Sequence, residues 1–92
     1  MFKKLLARRA EKKAQEQQRA LKFATSQYKR LCKNIKDDQD YLAMLIDEMN
    51  SSKDPVQRAS FERLISNTRD RIADYVSHKV ELEYKYGLCE EG

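Results

Sequence analysis

The sequence predicts an all-α fold: a long antiparallel helical hairpin, in effect a two-helix coiled coil, with an N-terminal helical overhang. Three observations point there. Charged residues make up 37% of the chain, and only two Gly and one Pro are present to interrupt a helix. Apolar residues recur in alternating steps of three and four. One strong break signal divides that pattern into two unequal runs. With 92 residues the chain is one domain, and a hairpin of this length buries little interior.

The first run is Ala7, Ala10, Ala14, Gln17, Leu21, Ala24, Tyr28, Leu31, Ile35, Asp38, Leu42, Leu45, Met49, with Gln17 and Asp38 as its polar steps. No Gly or Pro falls inside it, so one helix is expected from about 2 to 49, ~70 Å long at 1.5 Å per residue. A competing reading starts a new helix at Asp37 or Asp38, because acidic residues suit a helix N-terminus.

The break covers residues 50–54. Asn50 is suited to the left-handed conformation that ends a helix, Asp54 to the N-cap, Pro55 to the first helical position, and Gln57 to a capping box. A second helix then runs from about 55 to 86. Its seam is Phe61, Ile65, Thr68, Ile72, Tyr75, Lys79, Leu82 and Tyr86, flanked by Leu64, Val76 and Val80. Gly87 has the composition of a C′ residue, with Leu88 placed to fold back onto Leu82 or Glu83, in a short tail over 87–92 whose last four residues are expected to fray.

So short a connection makes the helices antiparallel neighbours. The resulting register sets Leu45 against Phe61, Leu42 against Leu64, Leu31 against Tyr75 and Ala24 against Leu82. Asp38 falls opposite Thr68 and reads as a solvent-exposed step in the seam. Charge supports the alignment: residues 1–36 hold twelve Lys and Arg against two Glu, whereas residues 37–92 hold seven against thirteen Asp and Glu. Folding back places Glu81, Glu83, Glu90 and Glu91 beside Lys22, Lys29 and Arg30. It places Asp37, Asp40, Asp47 and Glu48 near Arg58, Arg63, Arg69 and Arg71.

The second helix is too short to cover the first, which leaves residues 1–20 without an internal partner. Function is expected on this arm. Phe2, Leu5 and Leu6 are candidate anchors, and Arg8, Arg9, Lys12 and Lys13 candidate steering charges, for another protein with an acidic or grooved surface. The expected function is that of a small non-enzymatic adaptor or modulator. A short charged helical chain is in the style of the inhibitors and regulators that phages and mobile elements direct at host proteins, although no motif carries that comparison. Nonspecific DNA or RNA binding by the basic arm is the second reading, since nothing accompanies it that could read bases. Self-assembly into a homo-oligomer through the heptads is the third. An interfacial membrane helix ranks last, because an alanine face buries little area in lipid.

Chemistry is not expected. His78 is the only histidine, near acids and without a nucleophile to activate. The glycines, Gly87 and Gly92, form no phosphate loop, and Asp37, Asp38 and Asp40 lack the irregular, glycine-containing backbone of a calcium loop. Cys32 and Cys89 show no metal or redox spacing and read as two reduced thiols. Of the five tyrosines, Tyr28, Tyr75 and Tyr86 fall on the seam, whereas Tyr41 and Tyr84 do not. No cofactor or metal is expected. The N-terminal apolar stretch is too short for a secretory signal and no membrane span is legible, so a cytoplasmic protein is the expectation.

Overall fold

The structure, a computed structural model, describes residues 2–90, with the side chain of Phe2 outside the described set. It consists of two helices, α1 (Phe2–Ser51, 50 residues) and α2 (Pro55–Tyr86, 32 residues), packed side by side and antiparallel. The molecule measures 79 × 24 × 15 Å, and its radius of gyration is 21.5 Å, against ~12 Å for a compact chain of this length. α1 is continuous through residues 33–38, so no second helix begins at Asp37 or Asp38. The heptad continues across that segment, and Leu31, Ile35 and Leu45 are buried on either side of it.

The connection is tighter than the sequence suggests. α1 runs on through Asn50 and Ser51, and Asn50 does not take the left-handed conformation; Gly87 is the one described residue with positive φ. The helix end is satisfied in another way. The Ser52 amide donates to the Met49 carbonyl (3.2 Å), and the Arg58 guanidinium donates to the carbonyls of Met49 (3.4 Å) and Ser52 (3.2 Å). Arg58 is thereby committed to the turn and not to the acids of α1.

α2 starts as predicted. Asp54 lies in the extended region (φ −83°, ψ 120°), its carboxylate accepts from the Val56 amide at 3.0 Å, and Pro55 opens the helix. No capping box closes, because the Gln57 side-chain oxygen accepts from the Ser52 hydroxyl instead (3.1 Å). At the other end Gly87 adopts the left-handed conformation (φ 65°, ψ 27°), and Lys85 stands in the last turn, where a cation offsets the helix dipole.

The seam follows the heptad. Ala24, Tyr28, Leu31, Ile35 and Leu45 of α1 and Ile65, Thr68 and Leu82 of α2 are buried. Ala24, Tyr28, Leu31 and Leu82 form one cluster, with Cys32, Tyr75, Tyr86 and Leu88 packed on it. The expected Ala24–Leu82 pairing and the return of Leu88 are both present in that cluster. Further along, Ile65 is the buried side chain, and Leu64 beside it is 42% exposed. Tyr84 is 94% exposed and Tyr41 38%, in keeping with their off-seam positions.

The polar layer differs from its expected form. Thr68 is 2% exposed, so it is no solvent-exposed step; its hydroxyl donates to the Leu64 carbonyl one turn back (2.7 Å), which satisfies the group inside the helix. Asp38 reaches past Thr68 to Arg71, whose guanidinium donates twice, from Nε (2.7 Å) and from Nη2 (3.0 Å). This planar two-point contact is the geometry at which arginine outperforms lysine. It holds the Arg71 pKa above its ordinary value, chiefly through the hydrogen bond to Asp38.

Candidate functional site

From residue 3 to residue 23 of α1 every side chain is exposed, and the first buried residue is Ala24. The arm therefore reaches slightly further into the chain than the expected residues 1–20. Leu5 (55% exposed), Leu6 (56%), Leu21 and Phe23 (67%) lie open on it. No residue of 3–20 joins a side-chain hydrogen bond or ion pair among the described residues.

A helix turns 100° per residue, so the arm's side chains divide between two faces. Leu6, Ala10, Ala14, Gln17 and Leu21 continue the line of Ala24, Tyr28 and Leu31; this is the seam, prolonged beyond the end of α2. Arg8, Arg9, Lys12, Arg19 and Lys22 stand on the outer side, with Leu5 among them, while Lys13 flanks the seam near Leu6. The candidate residues are thus not one patch. Leu6 and Lys13 go with the seam, and Leu5, Arg8, Arg9 and Lys12 with the outer face. Phe2 is part of α1, but the position of its side chain lies outside the described set.

The outer basic column does not stop where the arm stops. Arg30 and Lys33 carry it along the back of the paired body, with Lys29 and Lys36 on the flank that borders the groove between the helices; all four are exposed and none is in an ion pair among the described residues. From Arg8 to Lys36 these cations span ~42 Å at 1.5 Å per residue. The expected pairing of Lys22, Lys29 and Arg30 with Glu81, Glu83 and Glu90 is not made: no ion pair joins them among the described residues, although Lys29 lines the groove that Glu90 also borders. Periodicity alone could have placed Arg30, whose heptad position is opposite the seam.

Two of the C-terminal acids, Glu83 and Glu90, have other partners. The Tyr28 hydroxyl, buried in the seam, donates to the Glu83 carboxylate at 2.8 Å; burial first, and then this bond, push the phenol pKa up. Glu90 turns back and pairs with Lys79, whose ammonium also lies 6.0 Å from the centre of the Tyr28 ring. The hydrogen bond from Lys79 holds the Glu90 carboxyl below its usual range. Glu91 lies outside the described residues. With the chain reversed at Gly87, the tail borders an open groove of about 730 Å³ between the helices, lined in part by Cys32, Cys89, Ile35 and Val76. Sequence reading missed this groove, because it depends on a chain reversal joining residues 57 positions apart.

His78 is exposed, and among the described residues no three His, Cys, Asp or Glu side chains gather as a metal site would require. No described helix is long and apolar enough to cross a membrane. Comparison with protein-family models, with curated proteins and with solved structures found no match in any of the three.

Proposed function

We propose that this chain is a non-enzymatic helical adaptor or modulator that binds another protein through the N-terminal arm of α1. The observation that carries this reading is the seam that outlasts its partner: Leu6, Ala10, Ala14, Gln17 and Leu21 lead into the buried body, with Gln17 as the one polar step, yet α2 covers the seam only from Ala24 onward. Most helical stability in proteins comes from packing an apolar face, and this stretch of α1 has no such packing. A partner helix laid along Leu6, Ala10, Ala14 and Leu21 would supply that packing. Alanine on this side lets the axes approach closely and favours bulky apolar residues on the other. The arm's excess of lysine and arginine favours an acidic partner and hastens its encounter.

The test is affinity capture from the host's own lysate with nuclease present, comparing the full chain, a Leu6→Asp/Leu21→Asp variant and a chain lacking residues 1–20. The reading expects a captured protein that the full chain retains and both altered chains lose. Retention by the shortened chain would place the binding site elsewhere.

One observation favours a second reading, nonspecific DNA or RNA binding: the outer basic column extends well past the arm, at the spacing of successive helical turns. Neutralising about five phosphates would give a slope of about −4.5 in log affinity against log salt concentration. Replacing Lys12 and Lys33, both on the column, should flatten that slope, whereas replacing Lys13 should alter it less. A flat salt response in the unaltered chain removes this reading.

A further inference from the structure

Leu88 packs on the same Tyr28, Leu31 and Leu82 cluster as Cys32, and Glu90 is held by Lys79. Cys89 sits between those two anchored residues. Both cysteines are free, and both line the groove beside the reversed tail. Residues 88–90 make no backbone-to-backbone hydrogen bond to another described residue, so the tail can adjust to bond geometry without breaking a helix.

We infer that Cys32 and Cys89 form a paired thiol site, which a low-molecular-weight disulfide converts into an intramolecular disulfide that fixes the C-terminal segment across the groove. The two thiols have different roles. Cys89 is exposed and meets the small disulfide first. Its thiolate attacks one sulfur, a mixed disulfide forms on Cys89, and one small thiolate leaves. Cys32 is half-buried, and burial pushes its thiol pKa up, so it is the weaker first nucleophile. Once the mixed disulfide stands beside it, Cys32 gives its proton to water and attacks the Cys89 sulfur, expelling the second small thiolate. In sum, the protein thiols lose two electrons and two protons, and the small disulfide leaves as two thiols.

The inference is independent of the arm and its partner. It is tested by exposing the dilute full chain to oxidised glutathione, quenching with acid, and measuring intact mass and the peptide map. The expected product is a monomer lighter by two hydrogens, without a glutathione adduct, whose map joins the peptides of Cys32 and Cys89, and which reductant restores. Cys32→Ser should stop at a single adduct on Cys89. Ring closure should be at least ~100-fold faster in the folded chain than in urea, where the two thiols meet only through a long flexible loop. A stable adduct on the unaltered chain, a disulfide-linked dimer as the main product, or equal closure rates in buffer and in urea would overturn the inference.

Discussion

Replacing Leu82 by alanine, and separately Leu6 by alanine, removes the same atoms from two places that the structure treats in opposite ways. Leu82 is 8% exposed and belongs to the cluster with Ala24, Tyr28 and Leu31; Leu6 is 56% exposed and has no cross-helix neighbour to lose. Buried leucine-to-alanine changes cost ~2–5 kcal/mol, and the lower part of that range applies here, because a body only 15 Å deep can partly collapse into the space. A loss of ~3 kcal/mol lowers the folding equilibrium constant roughly 100-fold, a large share of the stability of so small a domain. Leu6→Ala should change stability by less than ~0.5 kcal/mol, since alanine is at least as good a helix former and little apolar area is at stake. Urea unfolding of the three proteins, followed by far-ultraviolet circular dichroism, measures both effects. Equal losses at the two positions would refute the division into a packed body and a bare arm.

Three further outcomes follow from local geometry. Thr68→Val keeps the shape of a buried residue and removes a hydroxyl whose only partner is its own helix, so stability should hold or rise by up to ~1 kcal/mol; a loss above 2 kcal/mol in urea unfolding would mean that the hydroxyl has a cross-helix role. Asp54→Ala removes the acceptor of the Val56 amide and should cost ~1 kcal/mol by the same measurement, whereas Asp54→Asn should recover most of it. Glu90 has a depressed folded-state pKa, so its contribution is present above the ordinary glutamate range and is lost as pH falls through the folded value. Between pH ~5 and ~3 the NMR shifts of the Leu88 methyl groups in the unaltered chain should move toward those that Glu90→Gln already shows at neutral pH; identical profiles for the two proteins would remove the Lys79 pair as the cause.

What the sequence discloses here is set by how far each interaction depends on a single side chain's rotamer. The seam is legible because helical phase is rigid: once Tyr28, Leu31 and Ile35 are placed, Ala24 and Leu45 follow, and Pro55 and Gly87 mark the ends of α2. The ion pairs were not legible, because arginine and lysine reach across a full helical turn and each has several acids within range. Asp38 therefore finds Arg71 and not its register neighbour, and Arg58 serves carbonyls of the turn. The end of α1 was misplaced by two residues, because Arg58 supplies from a distance the hydrogen bonds that a left-handed Asn50 would have made locally. The arm was legible as unpaired, and its division into an apolar seam and a basic outer column follows from the same helical phase. The thiol groove was not legible, because it exists only once Gly87 has turned Leu88 and Glu90 back onto the hairpin.

α1 is paired from Ala24 onward and bare before it. Residue-resolved amide hydrogen exchange of the free protein measures this most directly, repeated at two concentrations so that self-association shows as a concentration dependence. Amides around Tyr28 to Leu45 and Ile65 to Leu82 should exchange only through opening of the whole hairpin, while those of residues 3–20 should be protected only weakly, with protection falling toward the N-terminus at both concentrations. Arm amides protected as strongly as those of the body would contradict it.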